Sequence, residues 1–162
     1  MPSMIVLAGV PGCGKSTWAK QMFDLKASII CPDTFRLERY GSLAAAHAPG
    51  KRAESNNYVW NRSHTELDQA LSHGVDAIVD ATNLWRVGRL QLLEIGWRNH
   101  ADCHLVLFKN VAEAVDRNAA RSDDERVTTD DMERMCDRYY DTLSEVENES
   151  WDSITFIESF KK

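Results

Sequence analysis

The segment that most constrains the fold is a glycine-rich run that directly follows an apolar one. Residues 9–17 read Gly-Val-Pro-Gly-Cys-Gly-Lys-Ser-Thr, which fits the spacing G-x-x-x-x-G-K-[ST], and residues 4–8 are Met-Ile-Val-Leu-Ala. A phosphate-binding loop needs a buried strand before it and a helix after it, so that backbone N–H groups and the helix dipole face the anion. The sequence offers both, and it therefore predicts a P-loop rather than a glycine-rich turn that binds nothing.

Each residue type in this loop suits the binding of nucleotide phosphates. Glycine permits the backbone angles and the close approach that a phosphate nest needs. The lysine is expected to reach the β- and γ-phosphates, and the first hydroxyl is expected to hold Mg²⁺. We therefore expect ATP and Mg²⁺ to bind, with Ser16 as the metal ligand and nucleotide contacts from Gly9, Gly12, Cys13, Gly14, Lys15, Ser16 and Thr17.

Apolar runs alternate with amphipathic segments along the rest of the chain. Such alternation predicts an α/β fold in which a parallel sheet is sandwiched between helices. The predicted strands are 4–8, 27–31, 76–80, 104–108 and 154–157. The predicted helices are 16–25, a segment from about 34, 53–71, 86–98, 111–120 and a last one that follows Thr128 to about 145, whereas 40–51 is expected to be a mobile loop. The expected core residues of three helices are Trp18, Met22, Leu25, Leu90, Leu93, Trp97, Met132, Met135 and Tyr139.

Two acidic residues follow predicted strands. Asp33 comes just after the second strand, and Asp80 ends the third. Ligands in open α/β sheets sit beyond the carboxyl ends of the strands, so both carboxylates are expected in the crevice of the P-loop. Arg36 lies one helical turn after Asp33 and completes a candidate substrate site, although Asp33 also fits an N-cap. Asp80 suits either Mg²⁺ binding through water or the positioning of a cationic side chain.

A short charged segment, residues 121–127, is expected to form a lid. Its first six residues, 121–126, are highly charged and lack apolar anchors, and Arg117 on the preceding helix shares a face with Arg121, four residues later. The chain has 162 residues, of which 43% are hydrophobic, so we expect residues 1–162 to form a single domain. No apolar run is long enough to span a bilayer, and the first strand leaves no room for a signal peptide, which predicts a cytoplasmic protein.

These motifs together resemble the kinase domain of phage-type polynucleotide 5′-hydroxyl kinases. The resemblance rests on Gly-Val-Pro-Gly-Cys-Gly-Lys-Ser-Thr-Trp-Ala at 9–19, D-x-x-R at 33–36, D-x-T-N-L at 80–84 and Arg-Asn-x-x-Arg at 117–121. It implies a P-loop kinase fold with a five-stranded parallel core. It also implies ATP-dependent transfer of the γ-phosphate to the 5′-hydroxyl of DNA or RNA.

The resemblance also implies a role for each matching residue. Asp33 looks like the general base, and Arg36 like the arginine that grips the phosphate of the acceptor. Asp80 looks like the carboxylate that orients Arg36, and Arg121 like the lid arginine that stabilises the transferred phosphoryl group. Lys15 completes the catalytic set, and Arg117 joins Arg121 as a nucleotide contact.

The acceptor stays open at this point. The lid acids Asp123, Asp124 and Glu125 would repel a polynucleotide that faced them. Kinases of the zeta-toxin type, nucleoside or sugar kinases, and phage kinases for modified bases share much of this frame, so a small-molecule or modified-base hydroxyl is the alternative. A nucleotide-binding switch without an acceptor is the third hypothesis. A polynucleotide would need a basic channel, for which Arg39, Lys51, Arg52 and Arg86 are available.

Overall fold

A computed structural model of the protein describes residues 1–22 and 27–158. The strands form one parallel sheet in the order β2-β3-β1-β4-β5, and β1 is central. Its apolar run is largely buried, as expected of a parallel strand that is covered on both faces. The predicted α/β class with a five-stranded parallel sheet is confirmed. The strands are β1 Ser3–Ala8, β2 Ser28–Ile30, β3 Ala77–Asp80, β4 Asp102–Phe108 and β5 Ser153–Ile157.

The helices lie close to their predicted positions, with ends that differ by a few residues. The prediction that the first helix runs to residue 25, and with it the core assignment of Leu25, lies outside the described residues. The helices are α1 Lys15–Met22, α2 Pro32–Tyr40, α3 Leu43–Ala46, α4 Arg52–Ser72, α5 Arg86–Arg98, α6 Val111–Ala119 and α7 Thr129–Glu145, and a 3₁₀ turn, Val146–Asn148, follows α7.

The sequence predicts a mobile loop over 40–51, but part of this segment between α2 and α4 is helical. It contains α3, whose N-cap is Ser42: the backbone N–H of Ala45 donates to the Ser42 hydroxyl at 3.0 Å. Gly41 separates α3 from α2 in the left-handed conformation, with φ of 79°. The glycines and the proline of this segment favour a loop, whereas its three consecutive alanines favour a helical turn.

Helix α5 turns a different face to the core than the sequence predicted. Leu93 is buried as expected, but Leu90 is 37% exposed and Trp97 is 49% exposed. The buried stripe has the spacing i, i+3, i+4, i+7 and consists of Arg89, Leu92, Leu93 and Gly96. Hydrophobic periodicity missed this stripe because two of its four positions are an arginine and a glycine.

The other core predictions were partly right. Trp18 is buried on α1, but Met22 is exposed, and the buried residues of this helix lie between Lys15 and Ala19. On α7, Met132 and Tyr139 are buried, and Met135 packs against the core. The predicted cap of α7 is confirmed, because the backbone N–H of Asp131 donates to the Thr128 hydroxyl at 3.2 Å.

None of the helices within 1–22 and 27–158 has the length and apolar character that a membrane span requires. The four cysteines, at positions 13, 31, 103 and 136, are free thiols.

Candidate active site

The glycine-rich loop joins β1 to α1 and is tightly packed against the neighbouring elements. Gly12 has φ of +89°, and a Cβ atom there would lie 2.6 Å from the carbonyl oxygen of Ala114 in α6. Glycine is therefore required at this position for both conformation and space. At the start of the loop, the N–H of Gly9 donates to the carbonyl of Thr82 at 3.0 Å, which ties the loop to the turn after β3.

The Lys15 side chain folds back over this loop. Its ammonium donates to the carbonyl oxygens of Gly9 and Val10, at 2.9 Å each, and to the Cys13 sulfur at 3.4 Å. The residue is buried, which is unusual for lysine unless its charge has partners. The loop therefore fixes one positive charge at the point where its backbone N–H groups would surround an anion.

Helix α6 supports the loop from the side. The Asn110 amide donates to the carbonyl of Cys13 at 3.1 Å, and the Arg117 guanidinium donates to that of Gly12 at 3.4 Å. Arg117 also pairs with Glu113 at 3.1 Å. The structure thus brings Arg117 to the loop and adds Asn110, which no sequence motif marked.

Ser16 and Asp80 meet on the other side of the loop. The Asp80 carboxylate lies at the end of β3 and is buried beside the Ser16 hydroxyl. Burial raises the pKa of Asp80, whereas the nearby Ser16 hydroxyl and the Lys15 charge act against that rise. Two hard oxygen donors beside a phosphate loop fit Mg²⁺, which is usually held by one or two protein groups together with phosphates and water.

The described part of the chain has no cluster of three or more His, Cys, Asp or Glu side chains that could hold a metal by itself. Any metal ion at Ser16 and Asp80 would therefore depend on the phosphates of a bound nucleotide for further ligands.

Asp33 and Arg36 form the second half of the site, on α2 at the carboxyl end of β2. Their side chains pair at 2.6 Å, and the second terminal nitrogen of Arg36 donates to the Asn56 side-chain oxygen at 2.8 Å. Arg36 is buried, and its Nε has no hydrogen-bond partner among the residues that the structure describes. Cys31 occupies the N-cap position of α2 without a side-chain bond, so Asp33 is free of the capping role that the sequence allowed.

The expected contact between Asp80 and Arg36 does not occur among the described residues. Arg36 bonds to Asp33 and Asn56, whereas Asp80 lies beside Ser16. The structure therefore assigns the orientation of Arg36 to Asn56 on α4, a residue that no sequence signal distinguished from the polar face of its helix.

The rim of this half joins α4 to α7. Arg52 and Asp131 form an ion pair at 2.5 Å, which lowers the pKa of Asp131. His47 lies nearby, and its pKa is lowered first by burial and then by the charges of Arg36 and Arg52. The side chains of Arg36, His47 and Arg52 thus lie near one paired carboxylate, that of Asp131.

The segment 121–127 adopts no helix or strand and is fastened at its far end. The Asn118 side chain donates to the carbonyl of Val127 at 2.9 Å and accepts from its N–H at 3.1 Å. Within the segment, Arg126 pairs with Asp123 at 3.2 Å, which neutralises one of the lid acids. Arg121 is partly exposed at the beginning of the segment.

Comparisons with known proteins agree with the fold. Residues 4–142 match the model of a family described as AAA domain. The comparison with curated proteins found no match. A chain of the Pnkp1/Rnl/Hen1 RNA repair complex is similar in structure, with a TM-score of 0.73 and 22% identity over 89% of this chain and 46% of that one.

Two further structures are similar. One belongs to the PezAT chromosomal toxin-antitoxin system of Streptococcus pneumoniae, with a TM-score of 0.76 and 16% identity over 96% of this chain and 66% of that one. The other is shikimate kinase from Acinetobacter baumannii in complex with shikimate, with a TM-score of 0.66 and 13% identity over 100% of this chain and 86% of that one. This chain thus spans about half of the RNA repair protein, and these likenesses concern the fold.

Proposed function

This chain belongs to the AAA domain family, and we propose that it is an ATP-dependent kinase that transfers the γ-phosphate to the 5′-hydroxyl of a polynucleotide. The observation that carries the proposal is the pair of Asp33 and Arg36. The pair lies at the carboxyl end of β2, at the same edge of the sheet as the phosphate loop. A nucleotide-binding switch would have no need for an exposed carboxylate and a buried arginine at that place.

The donor half of the site would hold the nucleotide. Phosphoryl transfer requires the protein mainly to position the reactants and to neutralise charge. Lys15 and the loop N–H groups serve the phosphates, and Arg117 lies beside the loop through its bond to Gly12. Ser16 and Asp80 would hold Mg²⁺, which would offset the negative charge of the bound phosphates.

The acceptor half would supply the base. Asp33 has a side chain that is 56% exposed, so an incoming hydroxyl group can reach it. The hydroxyl proton passes to an Asp33 carboxylate oxygen while the hydroxyl oxygen bonds to the γ-phosphorus. The bond from that phosphorus to the bridging oxygen breaks and leaves ADP, and Arg121 stabilises the charge on the group in transfer.

Arg36 would bind the phosphate of the acceptor. Its guanidinium is fixed by Asp33 and Asn56, and its buried Nε is still without a partner. Arginine presents several N–H donors in a planar fork that matches phosphate geometry. The polynucleotide acceptor is favoured by this grip, by the motif resemblance, and by the similarity to a chain of an RNA repair complex.

One observation favours a second candidate, a kinase for a small hydroxyl compound or for the hydroxyl of a modified base in DNA. Three of the four cationic side chains available for a polynucleotide channel are paired with acids. These pairs are Arg39 with Glu54, Arg52 with Asp131 and Arg86 with Glu149. Such pairing weakens the attraction for a polyanion. The similarity to shikimate kinase is compatible with this candidate.

The test is transfer of label from γ-labelled ATP to matched acceptors. The panel contains one oligonucleotide with a 5′-hydroxyl, the same oligonucleotide with a 5′-phosphate, free nucleosides, and duplex DNA that carries hydroxymethylated pyrimidines. The proposal predicts that the first is labelled far more strongly than any other acceptor, and the Lys15→Ala variant is the blank. Labelling of nucleosides or modified DNA without the 5′-hydroxyl oligonucleotide would establish the second candidate instead.

A further inference from the structure

Arg89 is a fully buried arginine on α5 that the reaction described above does not use. Its guanidinium makes three bonds of 2.8–3.2 Å to the Glu149 carboxylate and one of 2.8 Å to Glu145. The side chains of Arg89 and Glu149 are both 0% exposed. Glu149 also accepts from the Trp151 indole at 2.9 Å, so its carboxylate is held from two sides.

Such a pair is a poor way to gain stability. The desolvation of two charges offsets most of their attraction, and apolar side chains of similar volume are often equally stable or more so. The position of this pair therefore calls for another explanation. The one guanidinium nitrogen that faces away from the acids, Nη1, donates to the carbonyl oxygen of Asn83 at 3.0 Å.

Asn83 belongs to the turn that follows β3 and touches the phosphate loop. It has φ of 46°, and its side-chain amide donates to the carbonyl of Leu7 at 2.7 Å, at the end of the strand that feeds the loop. Its neighbour Thr82 accepts from the N–H of Gly9, the first residue of the loop. The same turn begins at Asp80, whose carboxylate lies beside Ser16.

Helix α7 holds this turn from a second side. The Thr142 hydroxyl lies 2.8 Å from the carbonyl oxygen of Leu84 and 2.9 Å from that of Arg138, so its one proton is shared between the turn and its own helix. Glu145, on the same helix, bonds to Arg89 and is held by Arg138 at 2.6 Å. Two successive carbonyls of the turn, those of Asn83 and Leu84, are thus bonded by side chains from two different helices.

We propose that Arg89 is a positioning residue for the nucleotide site. The Arg89–Glu149 pair and Thr142 fix the turn 80–84, and the turn fixes the first peptide of the phosphate loop and the carboxylate of Asp80. The kinetic part of this inference rests on the proposed kinase function, but its binding part requires only that the loop binds a nucleotide.

The test replaces the pair by apolar side chains and measures nucleotide affinity. The double variant Arg89→Met/Glu149→Leu removes both charges together, so no buried charge is left unpaired. We expect it to unfold cooperatively near the wild-type temperature but to bind Mg²⁺–ATP about tenfold more weakly, the effect of about one buried hydrogen bond left unmade. The matched control is Arg98→Met on the same helix, whose partner Asp68 is exposed and far from the turn in sequence.

Thr142 provides a second, milder measurement. Thr142→Val keeps the shape of the side chain and removes only its hydroxyl, so nucleotide affinity should fall several-fold, and Thr142→Ser should restore it. If the double variant does not fold, the Thr142→Val and Thr142→Ser variants still test whether the turn 80–84 affects nucleotide affinity. Wild-type affinity in folded Arg89→Met/Glu149→Leu or in Thr142→Val would overturn the inference. If the wild-type protein binds nucleotide but labels no acceptor, the proposed function fails and this test still stands.

Discussion

The donor and acceptor halves of the site are built in different ways. The donor half is made largely of backbone: Lys15 lies against two carbonyls, and Gly12 is too close to α6 to carry a side chain. The acceptor half is made of side chains in pairs, of which Asp33 with Arg36 and Arg52 with Asp131 are the main ones. The backbone contacts of the loop fit one kind of ligand, a nucleotide phosphate, whereas pairs of side chains can suit several kinds of acceptor. The phosphate donor can therefore be inferred from the structure, and the acceptor has to be tested.

The largest expected effect is the loss of transfer in Lys15→Ala. Its ammonium is the one buried cation in contact with the loop carbonyls, and no other described side chain replaces it there. Transfer of label from γ-labelled ATP should vanish while the circular dichroism spectrum stays that of the wild type. Near-normal turnover would contradict the assignment of the donor half.

Arg121→Ala should have the second-largest effect. Its turnover should fall about 10³-fold or more, which is the range for arginines that stabilise a phosphoryl group in transfer. The affinity for ATP should change little, because the charge is needed mainly in the transition state. Arg126→Ala is the matched control in the same segment, since Arg126 pairs with Asp123. A larger effect at Arg126 or Arg117 would show that another lid arginine carries this role.

Arg36→Ala should act on the acceptor half alone. We expect the acceptor KM to rise about 10- to 100-fold for oligonucleotides and less for nucleosides, because a bidentate phosphate contact is lost. The KM for ATP should stay the same. Arg39→Ala, on the same helix and paired with Glu54, is the control. Equal effects on oligonucleotides and nucleosides would favour a small acceptor.

The smallest effect is expected at the rim. Asp131→Asn removes the charge that holds Arg52 and Arg134, so both become available to a polyanion. The pair with Arg52 lies at the surface although Asp131 is partly buried, and surface pairs contribute about 0–1 kcal/mol, so the melting temperature should change little. If the acceptor is a polynucleotide, its KM should fall a few-fold at low salt, and the gain should disappear at high salt. A change that salt does not affect would exclude this electrostatic explanation.

The same contrast explains what the sequence could predict. The P-loop, the strands and the position of Asp80 follow from local patterns, namely an apolar run that ends in glycines or an acid. The partners Asn56 of Arg36 and Asn110 of Cys13 lie 20 and 97 residues away in the chain, and nothing in their own neighbourhoods marks them. The hydrophobic pattern of α5 gave the wrong buried face because it counts Arg89 as exposed. The burial of this arginine depends on its partner Glu149, which lies 60 residues later in the chain.

The most direct test of the account is the Asp33→Asn variant, measured for both halves at once. Asparagine keeps the size of the side chain and its bond to Arg36 but cannot accept the hydroxyl proton. The account predicts an unchanged dissociation constant for Mg²⁺–ATP and a rate of transfer to a 5′-hydroxyl oligonucleotide that falls about 100-fold or more. A wild-type rate in Asp33→Asn, or a loss of rate explained by weaker ATP binding, would contradict it.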